Sequence, residues 1–466
     1  MKAFLRFSNG EPNLSASEKK IVQKLSEAAT IISTLYLVQR DPRYPGANFY
    51  PHDATREEIE RASKQNPSIL SPYTFVERDK AGKLVAVPYS KRFKKELVQI
   101  AKLLREAASL SKDKEFRAYL VTRAQDLLRD KFDKSNILWL NTEQSKIGFV
   151  IGPFDRYIDK LFFRKRAYMA WIGILDPLQT DELSRFKDTI LLSERNYLPG
   201  AKRAKIAKVK IRVEDTLVFS GLIADFLFVG NNIPSSADLY LIKKYGTLFT
   251  LFNQPTDWRF SNWLFPIFQR IFSRKIKGKF TEEELKHAFL QTNVLHEACH
   301  TLMRYEDAQA RLRELTPYFD ELFTDLLGVK GCGTLILKNA LTERELEAIL
   351  IMTICHSLYF YTSIPVRPHL NPYALGGALI IDFLVKGKAL RKQVDGFSLD
   401  SYRAFMALNQ LTSIVEYYVA LGNHQEAEEF LKKFSLRKIF SPFDPYLKGI
   451  PKETLPSLTR AKNNVR

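Results

Sequence analysis

The sequence predicts an α+β fold, with short strands concentrated before Asn253 and helices dominating after it. Runs such as 147–153 and 248–253 are short, apolar and bounded by polar residues, glycine or proline, which is typical of strands. From Trp258 to Lys433, apolar residues recur mainly at intervals of three and four, which is typical of helices. The 466 residues are enough for roughly two to four domains or for one large two-lobed unit.

The composition is that of a folded globular chain, with 45% apolar and 26% charged residues. The three cysteines, Cys299, Cys332 and Cys355, form neither a spaced pair of metal ligands nor a disulfide framework, which favours a reducing compartment. The N-terminus shows no apolar stretch of the signal-peptide kind. We therefore expect a cytoplasmic protein. The longest uncharged run, 348–366, contains several polar residues and predicts a buried helix, so we expect no membrane partner.

Lysine and arginine exceed aspartate and glutamate by 71 to 52, which gives a net charge of +19. The basic residues are dispersed along the chain, and no aromatic-interleaved RNA-recognition motif accompanies them. We expect a solvated basic surface and no nucleic-acid partner. A functional anion-binding role for this surface is the alternative.

Apolar periodicity predicts further elements along the chain. Helices are predicted from Ser17, as the N-cap, to residue 39, and over 93–110, 114–129 and 178–192. A hairpin is predicted for 73–76 and 84–87, and strands for 136–140, 147–153, 209–213 and 248–253. The proline-punctuated segment from residue 440 onward predicts an irregular tail.

The helix predicted around 292–302 contains the motif His296-Glu297-x-x-His300. Residues four apart lie on one face of a helix, so both imidazoles can bind the same ion. Glu297 lies one step round from His296, where its carboxylate can take a proton from a metal-bound water. The motif therefore predicts a zinc-binding helix, and the alternative is a solvated helix that carries two histidines.

A catalytic zinc site needs three protein ligands and an open position. Downstream, Glu321 can supply the third ligand, and Asp325, one helical turn later, can accept the spare ring N–H of a ligating histidine. This would be a two-histidine, one-glutamate site of the gluzincin kind. The flanking residues are mostly apolar, so we expect both carboxylates to be buried, where they need a cation or hydrogen-bond donors. The alternative is an acidic helix face in solvent, and Asp320 is the less attractive ligand because it lies on a different face from Asp325.

Several stretches, in one order along the chain, resemble blocks of the dipeptidyl peptidase III family of zinc metallopeptidases. They are 48–53, 135–139, 151–159, 232–234, 296–300 and 320–325, and together they span most of residues 45–390. The five-residue spacing of the zinc motif resembles the bacterial and plant branch, because animal and yeast members have an extra residue between the histidines. The resemblance implies that the zinc ligands are His296, His300 and Glu321 and that Glu297 is the general base.

The other stretches imply roles in substrate binding. Tyr157 matches a tyrosine that stabilises the oxyanion of the tetrahedral intermediate, and Asn232 matches an asparagine that holds the substrate backbone. Asp155 lies where the family usually has a glutamate that receives the free N-terminus of the substrate, and Ser235 replaces a second substrate-binding asparagine. His369 matches a histidine that stabilises the transition state, although the spacing after it departs by about two residues from the family pattern.

The resemblance also implies two lobes with a cleft between them. A mixed lobe with a small β-barrel-like sheet would comprise 1–175, 215–262 and 432–466, and a mainly helical zinc lobe would comprise 176–214 and 263–431. Together these observations predict a zinc-dependent peptidase, a monomer or homodimer, that hydrolyses short peptides near the free N-terminus as a dipeptidyl peptidase does. One alternative is an aminopeptidase or oligopeptidase with a different product length. The other is a non-catalytic protein, zinc-bearing or metal-free, whose basic surface binds an acidic partner.

Overall fold

The computed structural model describes residues 3–7, 13–186, 198, 201, 208–235, 238–300, 305, 307–364 and 371–450. These residues fall into two compact units. Unit 1 contains the described residues of Met1–Pro177 and Arg212–Gln254, and unit 2 contains those of Leu178–Ile211 and Pro255–Thr454.

The helices and strands are numbered here in chain order. The first helices are α1 (Ala16–Gln39), α2 (Arg56–Gln65), α3 (Tyr89–Arg92), α4 (Lys94–Leu110), α5 (Lys114–Asp126), α6 (Asp133–Trp139), α7 (Pro177–Ser184), α8 (Leu222–Phe226) and α9 (Leu239–Tyr245). The later helices are α10 (Asn253–Arg259), α11 (Phe265–Ile271), α12 (Arg274–Lys277), α13 (Glu282–Cys299), α14 (Ala308–Leu312), α15 (Thr316–Leu337), α16 (Glu343–Ser363), α17 (Asn371–Lys386), α18 (Ser401–Ala420), α19 (His424–Leu431), α20 (Leu436–Phe440) and α21 (Asp444–Leu447). The strands are β1 (Phe4–Arg6), β2 (Thr74–Arg78), β3 (Leu84–Pro88), β4 (Ile147–Asp155), β5 (Ala167–Leu175), β6 (Val209–Gly221), β7 (Gly230–Ile233), β8 (Thr247–Phe252), β9 (Leu390–Gln393) and β10 (Gly396–Leu399).

Unit 1 is built on a curled, six-stranded sheet with the order β4-β5-β6-β8-β7, and β1 also pairs with β6. β4 and β5 are antiparallel, and a register shift between Pro153 and Asp155 marks the end of their pairing. One face of the sheet buries the rings of Trp171, Phe219 and Phe252, whose centroids lie 4.9–5.2 Å apart in the two contacting pairs. The predicted α+β fold class and the strand at 147–153 are confirmed.

The core of unit 1 also encloses an ion pair between Arg212 and Glu214 of β6, with 2.5 Å between Arg212 Nε and Glu214 Oε1. Both side chains are fully buried. Gly148 and Gly173 leave the room for the carboxylate, because a Cβ at either position would overlap Glu214. Arg212 also donates to the carbonyl of Thr142 at 2.9 Å. The half-exposed strand predicted for 209–213 is therefore wrong at Arg212, whose charge is matched inside the core.

Unit 2 is a helical assembly in which α13, α15, α16, α17 and α18 pack on one another. Capping boxes begin two of these helices: Thr281 with Glu284 at α13, and Thr342 with Glu345 at α16. Small residues allow the close helix crossings, since a Cβ at Gly377 of α17 would lie 2.8 Å from the Cβ of Ser357 in α16. α13 and α15 are also close neighbours, since a Cβ at Gly328 of α15 would lie 3.2 Å from the Cβ of Leu295 in α13.

Three local predictions need correction. Residues 136–140 lie in α6 and a short 3₁₀ turn, not in a strand, because the buried side chains of Asn136 and Trp139 share one helix face. The N-cap of α1 is Ser15, not Ser17. The Ser15 hydroxyl accepts a hydrogen bond from the backbone N–H of Glu18, and the Glu18 carboxylate accepts one from the backbone N–H of Ser15. The segment 432–450, assigned above to the mixed lobe, belongs to unit 2. There the ring of Phe440 stacks on the ring of Tyr361 in α16, with 4.4 Å between the centroids.

Among the described residues, two helices, α1 and α16, have the length and apolar composition that could span a membrane. In α16, however, 83% of the apolar window is buried inside the protein. This agrees with the buried core helix predicted from the sequence.

Candidate metal centre and substrate-binding residues

His296 and His300 on α13 and Glu321 on α15 form a compact group of three possible metal ligands in unit 2. One ligand atom from each residue lies within 4.8 Å of the other two. The Nε2 atoms of His296 and His300 lie 3.4 and 3.8 Å from Oε2 of Glu321. The structure thus brings together the three ligands that the sequence predicts.

The donor set and its spacing fit a zinc ion. Ligand atoms at about 2.0–2.1 Å from a tetrahedral zinc lie about 3.4 Å from each other. The distances from Glu321 Oε2 to the two histidine nitrogens, 3.4 and 3.8 Å, are close to this value. Oε2 of Glu321 is also buried and has no hydrogen-bond partner among the described residues. Such a carboxylate oxygen needs a cation or a donor. A zinc ion held by two imidazoles and one carboxylate would leave the fourth position open.

Asp325 orients the ring of His296. Nδ1 of His296 lies 2.6 Å from Oδ1 of Asp325, so we assign a ring proton to Nδ1; in the neutral ring, which is the form that binds a metal, this leaves the lone pair of Nε2 facing Glu321. Burial lowers the pKa of His296, but the Asp325 carboxylate outweighs burial and holds the pKa well above its usual value in the metal-free protein. The predicted contact of Asp325 with a histidine of the motif is therefore present.

His300 has partners that sequence reasoning missed. The hydroxyl of Thr324 lies 3.2 Å from Nδ1 of His300, and Oδ1 of Asp320 lies 3.8 Å from the same nitrogen. Burial lowers the pKa of His300, and Asp320 reverses this so that the pKa is raised overall. Both partners come from α15, whose residues 320, 321, 324 and 325 all face α13. The i, i+4 spacing of Asp320 and Thr324 places both on one side of α15, but it does not show that this side faces His300.

Glu297 lies on α13 between the two histidines and is half-buried. Helix geometry sets its side chain about 100° round from His296, as in the zinc helices that carry this motif. Cys299, also on α13, is buried and forms no disulfide with the described residues. It fills the core and is absent from the ligand group of the described residues.

In unit 1, the end of β4 carries Asp155, whose Oδ2 accepts a hydrogen bond from Nδ2 of Asn231 at 3.1 Å. Asn231 and Asn232 both belong to β7 and are mostly buried. Ser235 follows β7 and is half-buried. Asp155 and the β7 asparagines are therefore neighbours in unit 1, and Asn231 is a polar contact of Asp155 that the sequence analysis did not find.

Tyr157 follows Asp155 and Arg156 in the loop after β4. Its ring packs against Phe163, Phe226 and Phe228, with centroids 5.8–6.4 Å apart. The aromatic contacts fix the position of the phenol ring within unit 1.

A buried carboxylate, Asp159, organises this loop. It accepts hydrogen bonds from the backbone N–H groups of Phe162, Arg164 and Lys165 at 2.8–3.1 Å, and from the hydroxyl of Tyr50 at 3.1 Å. Asp159 itself is fully buried. The loop that presents Asp155 and Tyr157 is therefore held from inside, which keeps their geometry defined.

His369 lies outside the described residues, so its predicted role stays a prediction.

Comparisons with known proteins place this fold. No family model matches the chain. Nudix hydrolase 3 from Arabidopsis thaliana is 24% identical over 452 residues, which cover 88% of this chain and 56% of that protein. The chain thus spans about half the length of this curated relative.

Two solved structures are similar over nearly the whole chain. The structure of DPP III from Caldithrix abyssi has a TM-score of 0.80 and 22% identity, and covers 93% of each chain. That of dipeptidyl-peptidase III from Corallococcus sp. strain EGB has a TM-score of 0.82 and 22% identity, and covers 98% of this chain and 97% of that one.

The chain has the fold of a two-part helical and mixed α/β protein with a candidate metal centre on its helices. More specifically, this fold is that of the dipeptidyl peptidase III structures. The resemblance noted from the sequence blocks is confirmed at the level of the fold.

Proposed function

We propose that this protein is a zinc-dependent peptidase that hydrolyses short peptides near their free N-terminus, as dipeptidyl peptidase III enzymes do. The observation that carries the proposal is the group of His296, His300 and Glu321, with Glu297 on the same helix as the histidines. The fold shared with two dipeptidyl peptidase III structures supports it.

A zinc ion held by His296, His300 and Glu321 would activate a water molecule and polarise the peptide carbonyl. Glu297 accepts the proton of the attacking water and delivers it to the leaving amine. Asp325 keeps the His296 ring in the tautomer that offers Nε2 as a ligand. Thr324 and Asp320 orient the ring of His300 in the same way.

The residues of unit 1 are proposed to bind the peptide. The Asp155 carboxylate would receive the substrate ammonium group, with Asn231 holding that carboxylate in place. Asn232 and Ser235 would bind the substrate backbone. The hydroxyl of Tyr157 would donate a hydrogen bond to the oxyanion, and the ring of His369 is predicted to do the same.

Replacement of the proposed base tests the catalytic proposal. Glu297→Gln should lower the kcat for a short peptide by about 1,000-fold or more, while the protein retains one equivalent of zinc. Zinc is measured by mass spectrometry of the dialysed protein, and turnover by chromatography of the products. Glu283→Gln, an exposed change on the same helix, is the matched control and should leave turnover at the wild-type level. Undiminished turnover in the Glu297 variant would overturn the proposal.

The products of a defined octapeptide distinguish the predicted specificity from its alternatives. Stepwise release of dipeptides supports a dipeptidyl peptidase, whereas single residues or larger fragments support an aminopeptidase or an oligopeptidase. Stoichiometric zinc without hydrolysis of any peptide in a panel would favour the non-catalytic alternative.

A further inference from the structure

Arg156 lies between Asp155 and Tyr157 and is half-buried. Its guanidinium carbon lies over the ring of Phe163, 4.4 Å from the centroid, which is a cation–π contact. No hydrogen bond or ion pair joins the guanidinium to any residue that the structure describes. The five N–H donors of this arginine are therefore not used within the described part of the protein.

The backbone of Arg156 is fixed even though its donors are unused. Its carbonyl accepts from the N–H of Asp159 at 2.9 Å, which closes a turn. Asp159 in turn holds the following loop through three backbone N–H groups. The cation is thus presented by a rigid loop, with the stack on Phe163 limiting its rotamers, and little ordering would be needed to bind a ligand.

Nearby charges already have partners. Arg166 forms a buried, two-point ion pair with Asp238 at 2.7 and 3.1 Å, and Asp155 accepts from Asn231. Burial, and then the charge of Arg166, lower the pKa of Arg156 to about 10 despite the opposing charge of Asp155, so the group stays charged at neutral pH. Arg164, in the same loop, is exposed to solvent. Arg156 is a half-buried cation whose guanidinium forms no hydrogen bond or ion pair with the described residues, although the charge of Asp155 lies near it.

We infer that Arg156 binds a carboxylate of the peptide substrate, either an acidic side chain near the N-terminus or the C-terminal carboxylate of a very short peptide. The planar fork of a guanidinium matches a carboxylate through two parallel hydrogen bonds. Asp155 and Arg156 together offer adjacent negative and positive groups, which suit the ammonium group and a carboxylate of one peptide. The inference rests on the proposed function for the nature of the ligand.

Matched peptides test this role. Amidated heptapeptides of alanine carry glutamate or glutamine at one of positions one to four, and a neutral tetrapeptide is compared with a free and an amidated C-terminus. The readout is the ratio of kcat/KM between the charged and the neutral member of each pair. The wild-type protein should favour the charged member by about tenfold or more in at least one pair.

Arg156→Gln should reduce this ratio to about one, and Arg156→Lys should give an intermediate ratio because it keeps the charge but loses the fork. Arg56→Gln is the matched control, since Arg56 lies 5.1 Å over the ring of Phe162 and already pairs with Glu60. It should leave the wild-type ratio unchanged. The pair that shows the effect distinguishes a side-chain carboxylate from a C-terminal one.

A ratio near one in every pair with the wild-type protein, while peptides are hydrolysed, overturns the inference and leaves the proposed function intact. An equal loss of the ratio in the Arg56 control also overturns it. Titration calorimetry of the same pairs with the Glu297→Gln protein supplies a second readout. If no peptide is hydrolysed by the wild-type protein, the proposed peptidase function fails, and the ratio of Kd values still decides whether Arg156 selects a carboxylate. Absence of all peptide binding overturns both.

Discussion

Nδ1 of His296 lies 2.6 Å from Oδ1 of Asp325, one helical turn beyond Glu321 on α15. Glu321 and Asp325 thus contact opposite nitrogens of one imidazole. The carboxylate at Nδ1 fixes the tautomer and makes Nε2 a better ligand, because it stabilises positive charge on the ring. The same helix supplies the third proposed ligand and the group that orients the first.

Removal of this carboxylate should weaken zinc binding without removing a proposed ligand. We expect Asp325→Ala to lower zinc affinity about 10- to 100-fold, the usual effect of losing such a partner. Competition with a chromophoric chelator measures the affinity. Asp307→Asn, which removes an exposed carboxylate paired with Arg311, serves as the control and should leave zinc affinity unchanged. Equal affinity in wild type and Asp325→Ala would show that Asp325 does not act on the metal centre.

Helical spacing explains why the candidate metal centre could be predicted from the sequence. His296 with His300, and Glu321 with Asp325, are each pairs four residues apart, so a single helix places each pair on one face. The packing of α13 on α15 then had only to bring two such faces together. Thr324 and Asp320 were missed as partners of His300 because their contacts depend on how far α15 is rotated toward α13, which spacing does not fix.

Contacts that join distant parts of the chain were beyond the reach of the sequence. Asn231 binds Asp155 across 76 positions, through the curl of the sheet. The alternating pattern predicts that Arg212 is an exposed basic residue. In the structure it forms an ion pair with Glu214, two residues later, inside the core. The short apolar run at 136–140 is equally compatible with a strand and with a helix. The structure forms a helix there, in which Asn136 accepts a hydrogen bond from Arg123 at 2.6 Å, a contact that the sequence pattern does not reveal.

Asp159 should control the order of the loop after β4. Asp159→Ala would leave three backbone N–H groups and the hydroxyl of Tyr50 without their acceptor, so we expect the free energy of unfolding to fall by at least about 2 kcal/mol. Amide hydrogen exchange of 162, 164 and 165 should become faster. Asp130→Asn is the control, because among the described residues Asp130 accepts a backbone hydrogen bond from Ser90 only. This variant should leave the amides of 162, 164 and 165 protected. Unchanged exchange in Asp159→Ala would rule out its role as the organiser of the loop.

Gly173 should tolerate no side chain. A Cβ there would lie 2.8 Å from Cβ and 2.9 Å from Cδ of Glu214, whose position is fixed by its buried pair with Arg212. Gly173→Ala should therefore lower the free energy of unfolding by about 1–3 kcal/mol, as overpacking of a core does. Urea denaturation measures the change. Gly278→Ala is a control with ordinary contacts and a φ of −77°, and it should be nearly neutral. Equal stability of the two variants would contradict the packing argument.

The cap of the proposed zinc helix should make part of the stability depend on pH. Arg344 binds both carboxylate oxygens of Glu284 at 2.8 and 3.1 Å, and this bond, followed by the Thr281 N–H, lowers the pKa of Glu284 to about 2. A carboxyl group with a lowered folded-state pKa stabilises the protein fully above its unfolded pKa of 4.5, and the contribution is lost as pH falls from 4.5 through 2. Glu284→Gln should thus cost about 1 kcal/mol or less at pH 7, since solvent screens an exposed pair, and the difference from wild type should shrink at pH 3.5. Midpoints of urea denaturation at both pH values test this prediction, with Glu283→Gln as the exposed control. If the stability difference between Glu284→Gln and wild type is the same at pH 7 and pH 3.5, the effect of Glu284 does not come from its charge.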